Sequence, residues 1–515
     1  MKKFKVLLVL AIALIVSACG GANNQNQPAE GTFTLAVPGN PTSTSPFMAN
    51  DRVGLTVVSM IYSPLATIDS NSAFQYVLAQ SSEVAADNLS MTVHLKNNVQ
   101  FSDGTPLTAD DVVFTYEVLR DHPVANSNRM FVNEQPVNVV AVDEHTVRFE
   151  FPEVSAAALN NILTNVWIAP RHVFENEPDF TAADTVAHPV GTGPYKMVDY
   201  NRDQYLSFVA NENYFAGTPH IENIILRVIP SADTQRIALQ NGDVDGAIIL
   251  PVDVASVQND NINIYPIEEG RVGYIAMNTA TPQLQDVRVR QAIRYALDTH
   301  EMNLAAYLNE DFFKTPTSFL PPSNPFATAD GVNQFATNLD RARELLAEAG
   351  VSNLTINIGF NGSDPAQTAQ ATLAQQQLAQ VGITLNLDPQ DGATFWSQVQ
   401  DVDAHNFNLF TGGYIMGVEP NNYRTLFGSG MPNNNFGTNN PEIDRLFAEG
   451  AVETNPEQRQ AIYTQLQQLI SEEAFFVPIV DNLRILAMNS RIGGVEEAGL
   501  VPIYTFGDMS KLYIR

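Results

Sequence analysis

One cysteine in 515 residues leaves no possibility of an internal disulfide framework. The fold must rest on packing alone, and an oxidising compartment is neither required nor excluded. Basic residues are scarce as well, 27 Lys and Arg against 56 Asp and Glu, for a net charge of −29. Such a chain repels phosphate backbones, which argues against a nucleic-acid partner. Its field favours cationic over anionic ligands at long range, and equally serves solubility. Long apolar runs are missing too. Residues 6–16 form an apolar run of 11 residues, short of the ~20 that a membrane-crossing helix needs. No G-x-S-x-G elbow, H-E-x-x-H pair or phosphate-binding G-x-x-x-x-G-K-[ST] occurs. The eight histidines stand singly, without zinc or nickel spacing, and each reads as a surface or satisfied core residue. The sequence therefore implies no cofactor and no metal. A Ser-His-Asp triad is defined by geometry rather than spacing, so the sequence leaves it open.

What the chain does have begins at its start. Lys2, Lys3 and Lys5 precede the apolar run, the order of a signal peptide over residues 1–18. Val16-Ser17-Ala18-Cys19 resembles a lipobox, which would make Cys19 the lipidated first residue of the mature chain. The alternative is an ordinary secreted protein with a buried free cysteine. Residues 19–31, with their small polar composition, read as a flexible tether. Removal of residues 1–18 takes three lysines and no acid, moving the net charge to −32. The expected location is outside the cytoplasm, on the periplasmic or extracellular face, with the membrane reached through the lipid anchor only.

The remainder is long enough for two or three domains, and 44% hydrophobic residues support full cores. Strand-like runs at 33–37, 146–151, 224–229, 354–360 and 383–387 alternate with helical patterns at 286–298, 339–349, 366–380 and 456–473. This alternation predicts α/β layers. The most specific stretch is 101–120. Ser102-Asp103-Gly104 is turn chemistry, and Thr108 with Asp111 spells a capping box opening a helix. Val112, Val113, Tyr116 and Leu119 share one face of that helix. Further along, Gly191-Thr192-Gly193-Pro194 reads as a tight turn entering a strand, not a dinucleotide fingerprint. Residues 234–246 predict a helix ended by Gly242, with Asp243 and Asp245 in an exposed loop rather than a metal site.

Residues 93–96 and the run Val99-Gln100-Phe101-Ser102-Asp103-Gly104-Thr105-Pro106-Leu107-Thr108-Ala109-Asp110-Asp111-Val112 resemble the signature of the peptide/nickel family of ABC-transporter solute-binding proteins, family 5. Three further stretches match the same family. One runs from His188-Pro189-Val190-Gly191-Thr192-Gly193-Pro194-Tyr195 to Asn211 and Pro219. Another is Tyr274-Ile275-Ala276-Met277-Asn278 with Asp286 to Ile293, and the last is 342–350. Arg288 and Arg290 resemble structural charges of the family and read as salt-bridging surface residues. Together the matches cover most of residues 32–515.

The resemblance implies an α/β, two-lobed periplasmic-binding-protein fold of type II, with an extra inserted domain and a hinge between lobes. The first lobe would comprise 32–60, 186–270 and 482–515, the inserted domain 61–185, and the second lobe 271–481. It also implies a monomeric binding protein that is not an enzyme. The protein would capture a peptide or other small organic solute in the interlobe cleft, then dock on the permease and ATPase subunits of an ABC importer. A secreted lipoprotein hydrolase and a solute-sensing receptor are the contrary readings.

The segment from Phe410 to Tyr423 resembles the family's cleft-lining loop. In peptide-binding members an Asp four residues before the loop's Pro holds the peptide's α-ammonium. Here that position is Met416, whose thioether cannot neutralise a charge. Glu419, next to Pro420, is either its substitute or a turn residue. The expected cleft lining is Tyr414, Met416 and Glu419, with Trp396 and Asn278. Tyr414 and Trp396 would offer aromatic faces, or else serve as ordinary core residues.

Overall fold

A computed structural model describes residues 31–68, 73–181, 189–400 and 407–515. Residues 1–30, which include the signal segment, Cys19 and all of the tether but Gly31, and His188 lie outside the described residues. Three main sheets organise the rest. The first has seven strands in the order Tyr195–Asn201, Tyr205–Ala210, Asn223–Val228, Thr32–Val37, Gly246–Ile249, Arg484–Asn489 and Ile262–Ile267. Its centre is parallel: Thr32–Val37 runs alongside both Asn223–Val228 and Gly246–Ile249. Both faces of that central strand are buried, as its unbroken run of buried residues shows. Phe33 and Leu35 face the helix Arg52–Ile61, and Ala36 faces the helix Ala232–Asn241.

The second sheet has six strands in the order Phe313–Lys314, Phe476–Asn482, Arg271–Met277, Leu409–Ile415, Thr355–Asn361 and Thr384–Gln390. One face carries the aliphatic core under Val287–Ala296, Leu339–Glu348 and Pro365–Ala379. The other is dominated by aromatic rings and covered by Pro441–Val452 and Pro456–Glu473. The fold is thus two α/β lobes. The chain passes between their sheets twice, from Ile267 to Arg271 and from Asn482 to Arg484.

Between the first strand and Tyr195–Asn201 the chain builds a separate antiparallel sheet of four strands, Ala79–Val84, Ser90–Leu95, Thr146–Glu150 and Asn138–Asp143. The helix Ala109–Asp121 packs on it through Val112, Tyr116 and Leu119, with Val113 partly buried beside them. Its start follows the expected chemistry. Asp111 accepts from the backbone N–H of Thr108 at 2.9 Å and from its hydroxyl at 3.1 Å. The second Asp111 oxygen takes the N–H of Arg171 at 2.9 Å, so one capping residue also fastens a distant loop.

Two readings need correction. Asp245 is not in an exposed loop. It is buried, takes the Thr34 N–H at 2.9 Å, and pairs with Arg491 at 2.6 Å. Arg290 is not a surface residue either. It is 4% exposed, donates to the Leu284 and Gln285 carbonyls at 2.9 Å each, and pairs with Glu473 at 3.1 Å. It ties one helix to the end of another, whereas Arg288 is the exposed partner of Asp286.

The Gly191-Thr192-Gly193 turn marks where the chain returns to the first lobe. Gly193 donates to the Ile61 carbonyl at 2.7 Å. A Cβ on Gly191 would lie 2.0 Å from that same oxygen, and one on Gly193 would lie 2.4 Å from the Met60 oxygen. Backbone against backbone leaves no room for a side chain. Gly191→Ala is therefore expected to lower stability by roughly 1–3 kcal/mol or more. Gly39→Ala, where an added Cβ meets nothing, should change it by no more than about 0.5 kcal/mol. Urea midpoints of the two variants check the contrast.

Candidate functional site

The strand Leu409–Ile415 ends at the hinge side of the second sheet, because Ile415 pairs with Arg271 and Leu409 with Met277. The loop that follows is held in one shape by its own side chains. Gly417 takes φ +73°, a left-handed conformation, where other residues would be strained. Glu419 accepts from the Asn421 N–H at 3.0 Å and caps the short turn Pro420–Tyr423. Asn422 donates to the Met416 carbonyl at 2.9 Å, and Asn324 reaches the Val418 carbonyl at 3.2 Å.

Glu419 is 2% exposed and already paired. Arg459, also buried, meets one carboxylate oxygen at 2.5 Å. That guanidinium further donates to the Gly450 carbonyl at 2.8 Å and lies over the rings of Phe326 and Tyr463. The other Glu419 oxygen accepts from the Asn160 amide at 3.2 Å, and the neighbouring Asn161 donates to Asn422 at 3.3 Å. Asn160 and Asn161 end the helix Ala156–Asn161 of the four-stranded unit. The loop of the second lobe is thus bridged by side chains from a different part of the chain.

Six residues after Asn161 the same segment reaches Trp167. Its ring meets Tyr504 of the first lobe edge-on at 5.9 Å, and its buried indole N–H has no partner. Asn421 Oδ1 and Arg424 Nε, in and beside the loop, are likewise buried without partners. Buried polar atoms are normally paired, so the Asn421 and Arg424 atoms leave donor and acceptor capacity free in and beside the loop.

The hinge lies behind. Glu269, on one crossing, pairs with Arg52 at 2.6 Å and with Arg484, on the other crossing, at 3.3 Å. Arg52 also donates to the Pro502 carbonyl at 2.9 Å, and Arg484 to the Thr505 hydroxyl at 3.1 Å. Burial pulls the Arg484 guanidinium down to about 10, against the pull of Glu269. Arg271 donates to Asn482 at 3.0 Å, fastening the two crossings on the side of the second lobe.

The structure brings together Tyr414, Met416 and Glu419. Tyr414 is buried, donates its hydroxyl to the Phe319 carbonyl at 3.0 Å, and is surrounded by Tyr274, Tyr423 and Phe476. Met416 is partly buried on the same aromatic cluster. Asn278 lies at the opposite end of the strand Arg271–Met277, about 20 Å along it. Its amide serves the local backbone there, bonding Phe407 and Ala280. Trp396 is half exposed on the helix Gly392–Gln400, against Phe395. Sequence reasoning missed Trp167, Tyr504, Arg52, Arg424 and the Asn160-Asn161 pair. No spacing rule links residues hundreds of positions apart. An open surface depression of about 580 Å³ lies elsewhere, over the helix Pro365–Ala379, and carries no titratable side chain.

A family model described as "Bacterial extracellular solute-binding proteins, family 5 Middle" matches residues 73–435. The crystal structure of the ABC transporter substrate-binding protein CtaP from Listeria monocytogenes is 33% identical. It superposes with a TM-score of 0.90, covering 94% of this chain and 99% of that one. Heme-binding protein A of Haemophilus influenzae is 28% identical, covering 96% of each chain. Oligopeptide-binding protein AppA of Bacillus subtilis is 26% identical over 91% of this chain and 90% of that protein.

The buried Glu419–Arg459 pair gives the site its rigidity. Arg459→Met would strand the Glu419 carboxylate in the interior, and stability should fall by roughly 3–5 kcal/mol. The double variant Glu419→Gln with Arg459→Met should recover part of the loss, because no lone charge is then buried. Urea unfolding of the two variants measures this directly.

Proposed function

The chain belongs to family 5 of the bacterial extracellular solute-binding proteins, and from that premise we propose that it captures a peptide or peptide-like organic solute between its lobes and hands it to an ABC importer. Family members are extracytoplasmic binding proteins of ABC importers. The observation that carries the finer reading is the bridge from Asn160 and Asn161 to Glu419 and Asn422. Neutral amides and a loop joined across parts of one chain make a closure that hydrogen bonds can hold and water can reopen. The partnerless Asn421 and Arg424 atoms in and beside the loop, and the partnerless indole N–H of Trp167 on the segment that follows Asn161, are donors and an acceptor of the kind a peptide backbone needs. Tyr414, Met416 and Glu419 support the wall on the second lobe, Met416 with an adaptable apolar surface. Asn278 and Trp396 belong to this reading only if the solute extends well beyond that loop.

Nothing in this arrangement assembles a nucleophile with a base. The solute should leave unchanged. Calorimetry with di- to pentapeptides, and with haem as the Haemophilus relative suggests, identifies the solute class. Mass spectrometry of the recovered solute checks that it is intact, and cleavage products would favour the hydrolase reading. Replacing Asn160 and Asn161 together by Ala should weaken binding about tenfold, two modest hydrogen bonds' worth.

Cys19 is proposed as the lipid attachment site, on the order of basic, apolar and small residues before it. Among the described residues no helix is long and apolar enough to cross a membrane. Cys19→Ser should move the protein from the membrane fraction to the soluble one. Persistence of that variant in the membrane fraction would refute the anchor.

A further inference from the structure

Neither acid position of the loop offers a free charge to a solute. Met416 has none, and the Glu419 carboxylate is taken up by Arg459, Asn160 and Asn421. Asp481 differs. It is next to last in the strand Phe476–Asn482, where the chain leaves the second sheet for the hinge. It is fully buried, and neither carboxylate oxygen has a hydrogen-bond partner. The Arg271 backbone N–H points toward it without reaching normal hydrogen-bonding geometry. Lys314 stands directly opposite it in the sheet, on the same face, yet its ammonium bonds Glu268 instead. Glu268 and Glu269 add negative charge from the other crossing, and the charge of Asp481 in turn helps hold the Tyr423 phenol protonated, after burial. Burial first, then the two glutamates, push its carboxyl up to about 7, with Arg271 and Lys314 opposing.

A buried ionised carboxylate without donors costs several kcal/mol. The strand around it otherwise uses apolar residues such as Ile479 and Val480. We propose that Asp481 is the counter-charge for a cationic group of the solute, an α-ammonium or a guanidinium, at the hinge end of the second sheet. It fills the role left vacant at Met416. The inference rests on the reading that solute enters between the lobes. In the empty protein the carboxyl holds its proton until about pH 7. The arriving cation displaces that proton to solvent and forms charge-assisted N⁺–H···O⁻ bonds in its place. Affinity should therefore rise with pH below that value and level off above it. The solute-free fold has the opposite slope. Because the folded value lies above the ordinary 3.8, the fold binds a proton that the unfolded chain releases. Its contribution is present at acid pH and lost as pH rises toward 7.

The test is calorimetry on the full mature chain with trialanine, N-acetyl-trialanine and free arginine. Titrations run at pH 5.5, 6.5 and 7.5, each in two buffers of different ionisation heat. Trialanine or arginine should bind about tenfold tighter at pH 6.5 than at 5.5, with release of up to one proton. N-acetyl-trialanine should bind at least a hundredfold more weakly than trialanine. Asp481→Asn should flatten the pH profile, abolish proton release and erase the difference between the two peptides. If N-acetyl-trialanine binds as well as trialanine, or no proton is released by the wild type, the role of Asp481 falls while peptide capture stands. If none of the three probes binds, both readings fall. The buffer comparison needs only the wild-type chain, so the test survives a variant that does not fold.

Discussion

The carboxylate of Glu269 holds two arginines at the point where both crossings leave the first sheet. Arg52 belongs to a helix of the first lobe and Arg484 to the returning strand, so one buried acid ties the outgoing crossing to both. On the other side Arg271 and Asn482 fasten the crossings to each other. Two polypeptide connections cannot hold a large body rigid by themselves, and motion about such a pair is the expected mode of a hinge. The ion pairs act on the Glu269 side chain, between Ile267 and Arg271, and not on a backbone hydrogen-bond ladder.

Everything in the candidate site follows from that placement. The second sheet presents the ends of its strands, the loop after Ile415 and the end of Phe476–Asn482, toward the hinge. The four-stranded unit reaches over from the first lobe with the helix Ala156–Asn161 and the Trp167 ring. The interior of the second lobe is apolar and aromatic, so the charges that survive in it carry a purpose. Arg459 and Glu419 brace the loop, Arg290 and Arg294 fasten strand and helix carbonyls, and Asp481 is left unpaired. The chain's large negative charge adds a long-range pull on cations that the hinge acids sharpen locally.

Local chemistry was legible in the sequence. The Thr108 and Asp111 capping pair, the Gly242 helix stop and the strands near 33–37 and 224–229 appear where residue type and periodicity place them. Gly191 and Gly193 read correctly as a turn, although the reason, contact with the Ile61 backbone, belongs to a segment 130 residues away. Charges were read poorly. Arg290 and Asp245 look like surface residues because their partners, Glu473 and Arg491, lie far along the chain. Glu419 was recognised beside its proline, but nothing near it in sequence announces Arg459. Spacing encodes helices and turns, whereas an interior ion pair depends on tertiary packing that one sequence does not display.

The central claim is that the two lobes turn about the hinge to enclose a solute. The most direct measurement is the distance between spin labels placed at Val198→Cys, on the exposed side of the first sheet, and Ala448→Cys, on the helix Pro441–Val452. Cys19 would be replaced in the background. Without solute the account predicts a broad distribution of distances. With a saturating peptide or other bound solute it predicts one narrower and shifted population, reversed on removal of the solute. A distribution that is already narrow, and that bound solute leaves unchanged, would contradict it.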